Sequence, residues 1–177
     1  HNSNLVPWLE IEKDLRERAG DPDLVVRRVF DLNEDGSFNV ENALAAITPR
    51  TKWLILNSPS NPGGVGYGAA DLADFAEVLR RHPQVHLISD DIYEHLVYDG
   101  FKFATMRAVA PDLADRILSL NGVSKSYCMT GWRIGYCAAP EPLVRAMAKL
   151  QSQSTSCPNS IAQHAAIAAL DGPTDFM

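Results

Sequence analysis

Short apolar runs of strand length alternate with segments of helical spacing along this chain, and that alternation constrains the fold more than any other feature. Leu24 to Leu32, Trp53 to Leu56, Val85 to Ser89, Arg116 to Leu120 and Trp132 to Ala138 read as strands, with Trp53-Leu54-Ile55-Leu56 a buried one. Val40 to Ile47 reads as a short helix closed by Thr48-Pro49, and Ala69 to Arg81, Glu141 to Leu150 and Ser160 to Leu170 as further helices. Ahead of these, Trp8, Ile11, Leu15 and Ala19 keep helical spacing. Glu12–Arg16 and Asp14–Arg18 pairs lie on the wet side, and Gly20-Asp21-Pro22 is a stop. The first strand ends in the turn Asn33-Glu34-Asp35-Gly36. Strands joined by helical crossovers lie parallel, and a parallel sheet needs cover on each side. The expected fold class is therefore α/β, a mostly parallel sheet with helices on both faces. Ligands in such sheets gather where strands end and loops begin, so the polar residues just past each strand carry the functional information.

Composition narrows the function classes. A chain of 177 residues with 46% hydrophobic residues can bury a core of its own, and no repeat or Ser/Gly/Pro linker divides it. Sixteen Lys and Arg against 22 Asp and Glu leave a net charge of −6, without the basic field that holds a polyanion or an anionic bilayer. No nucleic-acid or membrane partner is expected. The longest apolar run, Ala165 to Leu170, is far too short to span a bilayer. Three cysteines, Cys128, Cys137 and Cys157, make no disulfide framework and fit a reducing, cytoplasmic setting. The chain starts at His1 and stops at Asp175-Phe176-Met177 with no visible targeting segment, which leaves open that it is part of a larger protein.

Several motifs are empty. Gly64-Val65-Gly66-Tyr67-Gly68 lacks the lysine of a nucleotide loop and the spacing of a dinucleotide fingerprint. His82 and His86 have metal-like spacing, but Pro83 keeps them off a shared helical face. Tyr98 and Lys102 match a Tyr-x-x-x-Lys pair, but Gly100 opposes the helix that pair requires. Three other stretches hold more. Asn57-Ser58-Pro59-Ser60-Asn61-Pro62-Gly63-Gly64 follows one strand, and Ser89-Asp90-Asp91-Ile92-Tyr93-Glu94-His95 follows the next. Asn121-Gly122-Val123-Ser124-Lys125-Ser126-Tyr127 follows a third and leads into Met129-Thr130-Gly131-Trp132-Arg133-Ile134-Gly135-Tyr136. Taken singly, these read as a rigid turn, a helix cap with Asp91 the stronger capping candidate, and a loop with a solvated lysine.

Taken together, the three stretches resemble the signature segments of the fold-type I pyridoxal-phosphate enzymes of the class I/II aminotransferase family, most closely its bacterial aspartate aminotransferases. The resemblance runs from about Asp31 to Leu170 and is strongest from Asn57 to Gly64 and from Asn121 to Tyr136. It implies that Lys125 bonds the cofactor aldehyde and carries protons between the substrate α-carbon and cofactor C4′. It places Asp90 at the pyridine nitrogen, and Tyr93 and Asn61 at the phenolic oxygen O3′, with Asn61 also near the substrate carboxylate. Arg133 would grip the phosphate, with Ser124 adding a hydroxyl.

The implied cofactor is pyridoxal 5′-phosphate, and the implied partners are an amino acid, a 2-oxo acid and a second copy of the chain. Residues 1–177 would be a partial cofactor-binding large domain, lacking an upstream Gly-rich phosphate cradle and stacking aromatic, and a downstream small domain with its carboxylate-binding arginine. Gly122 stands where relatives often carry a phosphate-binding serine, Gly63 where they carry threonine, and Cys157 where they carry asparagine. Asn61-Pro62 is expected to be cis. The alternatives are a C–S lyase or synthase on the same fold, and a non-catalytic fragment or dimerisation module.

Overall fold

The computed structural model describes residues 13, 14, 16–20, 33, 34 and 39–177. Residues 16–19 are helical, Arg18 Nε donates to Asp14 Oδ1 at 2.8 Å, and Gly20 ends the segment at φ +64°. The strand expected over Leu24 to Leu32, the apolar positions Trp8, Ile11 and Leu15, and the turn residues Asp35 and Gly36 lie outside the described residues.

The described elements follow the alternation read from sequence. Helix α1 (Val40–Ala46) starts at Asn39, whose side-chain oxygen accepts the Asn42 N–H at 2.8 Å, and stops before Thr48-Pro49. Strand β1 (Trp53–Asn57) leads through the Pro/Gly turn to α2 (Ala69–Arg81) and β2 (His86–Asp90). A short helix α3 (Met106–Val109) and a 3₁₀ segment (Pro111–Arg116) precede β3 (Ile117–Gly122). A 3₁₀ turn (Thr130–Trp132), β4 (Gly135–Ala138), α4 (Glu141–Ser152) and α5 (Ser160–Leu170) complete the order.

Strands β1, β2 and β3 pair parallel in that order, and β4 pairs antiparallel with β3 at the edge. The sheet is mostly parallel, as expected. Helix α2 sets its face: Leu72, Phe75, Ala76, Val78 and Leu79 recur at helical spacing and are all buried. They form one core with Leu54, Leu56, Leu87 and Ile117 of the sheet. The Arg116 guanidinium donates to the carbonyls of Leu79, His82 and Val85 at 3.0 Å each, satisfying the end of α2 and fixing it to the start of β3.

Two expectations are corrected. Trp53 to Leu56 was expected to be a buried strand, but burial alternates: Leu54 and Leu56 are covered, whereas Trp53 and Ile55 are 41% and 50% exposed. A strand with one covered face has that period. The strand expected from Trp132 begins only at Gly135, because Thr130–Trp132 closes a 3₁₀ turn and Arg133 takes the left-handed conformation at φ 55°.

Candidate functional site

All three signature stretches begin at the C-terminal end of a parallel strand. In register, Asn57 of β1 faces Asp90 of β2, and Asp90 faces Leu120 of β3. The turn after β1, the turn after β2 and the loop after β3 therefore emerge side by side at one edge of the sheet, where binding sites of open α/β sheets form.

The first turn is tied to the second strand. Asn57 Nδ2 donates to the Asp90 carbonyl at 3.1 Å, while Asn57 Oδ1 accepts the Asn61 N–H at 3.0 Å. Ser60 closes the turn through its N–H to the Val65 carbonyl and its carbonyl to the Gly64 N–H, both at 2.9 Å. Gly64 sits at φ +69°, where a side chain is disfavoured. The Asn61-Pro62 bond is cis, as expected from the resemblance, and so is Ser58-Pro59.

The second turn does not cap a helix. Residues 92–95 form consecutive turns, so Asp91 has no helix to cap. Its carboxylate instead accepts the Ser89 hydroxyl at 2.8 Å. From this turn the Tyr93 hydroxyl reaches the Asn61 amide, which donates to it at 3.0 Å. The Lys125 amine lies 5.7 Å from the centre of the Tyr93 ring. Two residues sixty-four positions apart in sequence, Asn61 and Lys125, are thus joined through one phenol.

The third loop forms a cleft of about 360 Å³, within the usual range of small-molecule sites. Ser124, Lys125 and Arg133 line it together with Ile92, Thr130, Ile134 and Gly135. Arg133 Nη1 donates to the Thr130 carbonyl at 2.8 Å, leaving other guanidinium donors for an anion. Its left-handed backbone costs about 1 kcal/mol in a residue with a side chain. Asp90 stands outside this lining, at the end of β2 and three residues before Tyr93. Burial raises its carboxyl above the ordinary range, and the Ile92 N–H, 3.4 Å from Oδ1, opposes that shift.

The donor set fits an aldehyde-phosphate cofactor. The cleft offers an amine for an aldehyde, with a hydroxyl and a guanidinium for a phosphate. A phenol–amide pair stands beside the amine and a half-buried carboxyl three residues before the phenol. Gly122 has its own reason for being glycine. A Cβ there would lie 3.0 Å from the Ile134 carbonyl oxygen, 3.1 Å from Ile92 Cδ1 and 3.2 Å from Gly135 Cα. Gly122→Ser is expected to lower stability by about 1–2 kcal/mol, read as the shift in the thermal unfolding midpoint.

Asp91 makes a pH-dependent contribution. Burial raises its carboxyl to about 6, the Ser89 hydroxyl pulls the other way, and the negative charges of Glu94 and Asp90 raise it further. A carboxyl whose pKa is higher folded than unfolded ionises at a cost to the native state. That cost is absent below the ordinary carboxylate range and complete once pH has risen past about 6. Asp91→Asn keeps an acceptor for Ser89 and is expected to stabilise the fold at pH 7.5 by something on the order of 1–2 kcal/mol, with most of that gain lost at pH 4. Unfolding curves at the two pH values check the sign.

Some residues that tie these stretches together were given no role from sequence. Asn57, Glu94 and Asn121 stand within the three stretches, but the bonds Asn57–Asp90 and Asn121–Glu94 join residues 33 and 27 positions apart, and no local spacing marks them. Only the register of the strands brings them together.

Comparison with known proteins agrees with the motif reading. Residues 22–177 match the family model for aminotransferase class I and II. An aspartate aminotransferase of Rhizobium meliloti is 56% identical over 147 residues, covering 83% of this chain and 36% of that protein. An aspartate/prephenate aminotransferase of Cereibacter sphaeroides is 63% identical over 137 residues, 77% of this chain and 34% of that protein. The crystal structure of the Rhizobium meliloti aspartate aminotransferase superposes with a TM-score of 0.79 over 82% of this chain and 37% of that one, at 56% identity. A Thermus thermophilus aspartate aminotransferase with maleate gives 0.72 over 78% and 35%, at 43% identity. The chain spans about a third of the length of these relatives.

Proposed function

We propose a function from one premise: the chain belongs to the family of class I and II aminotransferases. It forms the central part of the cofactor-binding large domain of an enzyme that exchanges an amino group between an aspartate-like amino acid and a 2-oxo acid. The cofactor is pyridoxal 5′-phosphate, and the parent protein works as a cytoplasmic homodimer. The observation that carries the reading is the convergence of Ser124, Lys125 and Arg133 on one cleft, with the Tyr93–Asn61 pair beside the lysine amine.

Pyridoxal phosphate, when bound, supplies an aldehyde that takes up an amine and a conjugated ring that spreads negative charge from the substrate α-carbon. Each residue has a task towards it. Lys125 would hold the cofactor through its aldehyde and would carry a proton at the substrate α-carbon. Arg133 binds the phosphate through charge-assisted bonds, and Ser124 adds a hydroxyl. Asp90 holds the proton on the ring nitrogen. Burial alone favours its neutral form, and a positive charge brought against it favours the carboxylate. Tyr93 and Asn61 hold the phenolic oxygen in its ionised form.

The names of the Rhizobium, Cereibacter and Thermus relatives support an aspartate-type substrate. Full-length protein incubated with aspartate, 2-oxoglutarate and pyridoxal phosphate is expected to form glutamate and oxaloacetate. Pyruvate, ammonia and a free thiol formed from a cysteine S-conjugate, with no glutamate formed from aspartate, would assign elimination chemistry instead. Loss of both activities with a stable dimer in sizing chromatography would leave a binding module.

A further inference from the structure

A pair of polar side chains joins the turn after β2 to the end of β3, and none of the tasks above uses them. Asn121 Nδ2 donates to Glu94 Oε1 at 2.6 Å, and the oxygen of the same amide accepts the Gly122 N–H at 2.7 Å. With donor and acceptor both engaged, the amide has one orientation. The bond to a carboxylate is charge-assisted, and the Glu94 side chain is only 25% exposed, so water competes weakly for it. His95 Nε2 lies 3.4 Å from the same carboxylate oxygen.

The place of this bond matters more than its strength. Glu94 follows Tyr93 directly, and Asn121 precedes Lys125 by four residues. The Asp91 N–H donates to the Leu120 carbonyl at 2.9 Å, and the Glu94 N–H to the Asp91 carbonyl at 2.9 Å. The backbone thus holds the near end of the turn to β3, and Glu94–Asn121 holds the far end. The distance between the Tyr93 ring and the Lys125 amine depends on how the turn sits against the loop. A turn held at one end swings; held at both ends it does not.

We propose that Glu94 and Asn121 are positioning residues, whose bond sets the Tyr93 hydroxyl against the Lys125 amine and so against the cofactor. This rests on the reading of Tyr93 and Lys125 given under Proposed function. The test measures binding of pyridoxal phosphate to the full-length protein, as Kd and as the position of the cofactor's visible absorption band. Glu94→Ala is expected to weaken binding about tenfold and shift the band, whereas Glu94→Gln, which keeps an acceptor, stays within about threefold of wild type. In a Tyr93→Phe background, with no hydroxyl left to position, Glu94→Ala is expected to change Kd by less than about threefold.

Equal losses in the Ala and Gln variants, no loss in the Ala variant, or an Ala effect undiminished in the Tyr93→Phe background would each overturn the proposal. Should Glu94→Ala fail to fold, Glu94→Asp, which keeps the charge but withdraws the oxygen by one methylene, is held to the Ala outcomes. A wild-type protein that takes up no cofactor defeats the reading beneath the proposal. A wild type that binds, with a Glu94→Ala variant that matches it, defeats the positioning role alone.

Discussion

Lys125→Ala is expected to lower amino-group transfer by about 10⁴-fold or more while leaving the fold intact. Proton transfer by a positioned side chain contributes about 10² to 10⁴ in rate, and the covalent role of the amine is lost along with it. Lys125 is half-buried and its side chain is in no apolar core cluster of the described residues, so its removal leaves no large cavity. The variant should therefore unfold within a few degrees of wild type, and a small primary amine added to the assay should restore part of the rate. Steady-state kinetics of the full-length protein with aspartate and 2-oxoglutarate, with and without added amine, decide it.

The second large effect is expected at Asp90. A carboxylate about 4 Å from a protonated ring nitrogen, at an effective dielectric near 20, contributes roughly 4 kcal/mol, equivalent to about three pKa units. Asp90→Asn keeps the volume and the acceptor for the Ile92 N–H but removes the charge. It is expected to lower kcat by about 10²- to 10³-fold with a much smaller change in KM, the signature of an interaction made chiefly in the transition state. A cofactor analogue carrying a fixed positive charge at that nitrogen should return most of the lost rate to the Asn variant. Equal losses with the two cofactors would remove the nitrogen from the explanation.

The strands and principal helices were legible because their periods are long enough to read. The alternation in α2 and the apolar runs of β2 and β3 were recovered to within a residue or two at their ends. The short helix Met106–Val109 and the 3₁₀ segment Pro111–Arg116 were not, since one turn of helix shows no period. The direction of β4 was also missed. Residues 123–134 connect β3 to β4 without a crossover helix, and an antiparallel return needs none. That same loop, which holds a 3₁₀ turn but no α-helix, carries Lys125 and Arg133, so the departure from the repeating pattern falls on the candidate site.

Site residues were legible in a different way. Asn61, Asp90, Tyr93, Ser124, Lys125 and Arg133 were singled out by motif resemblance, and the register of parallel strands explains why three stretches far apart in sequence share one edge. The bonds that link the stretches to one another, Asn57 to Asp90 and Asn121 to Glu94, have partners set by that register and not by any local pattern.

The proposed function depends most on the ε-amine of Lys125 as the group that would hold the cofactor. The direct measurement is borohydride reduction of full-length protein saturated with pyridoxal phosphate, followed by proteolysis and mass mapping of the modified peptide. One stoichiometric adduct is expected on Lys125, absent after Lys125→Ala. A stoichiometric adduct on Lys102, Lys149 or any other lysine, with Lys125 unmodified, would contradict it.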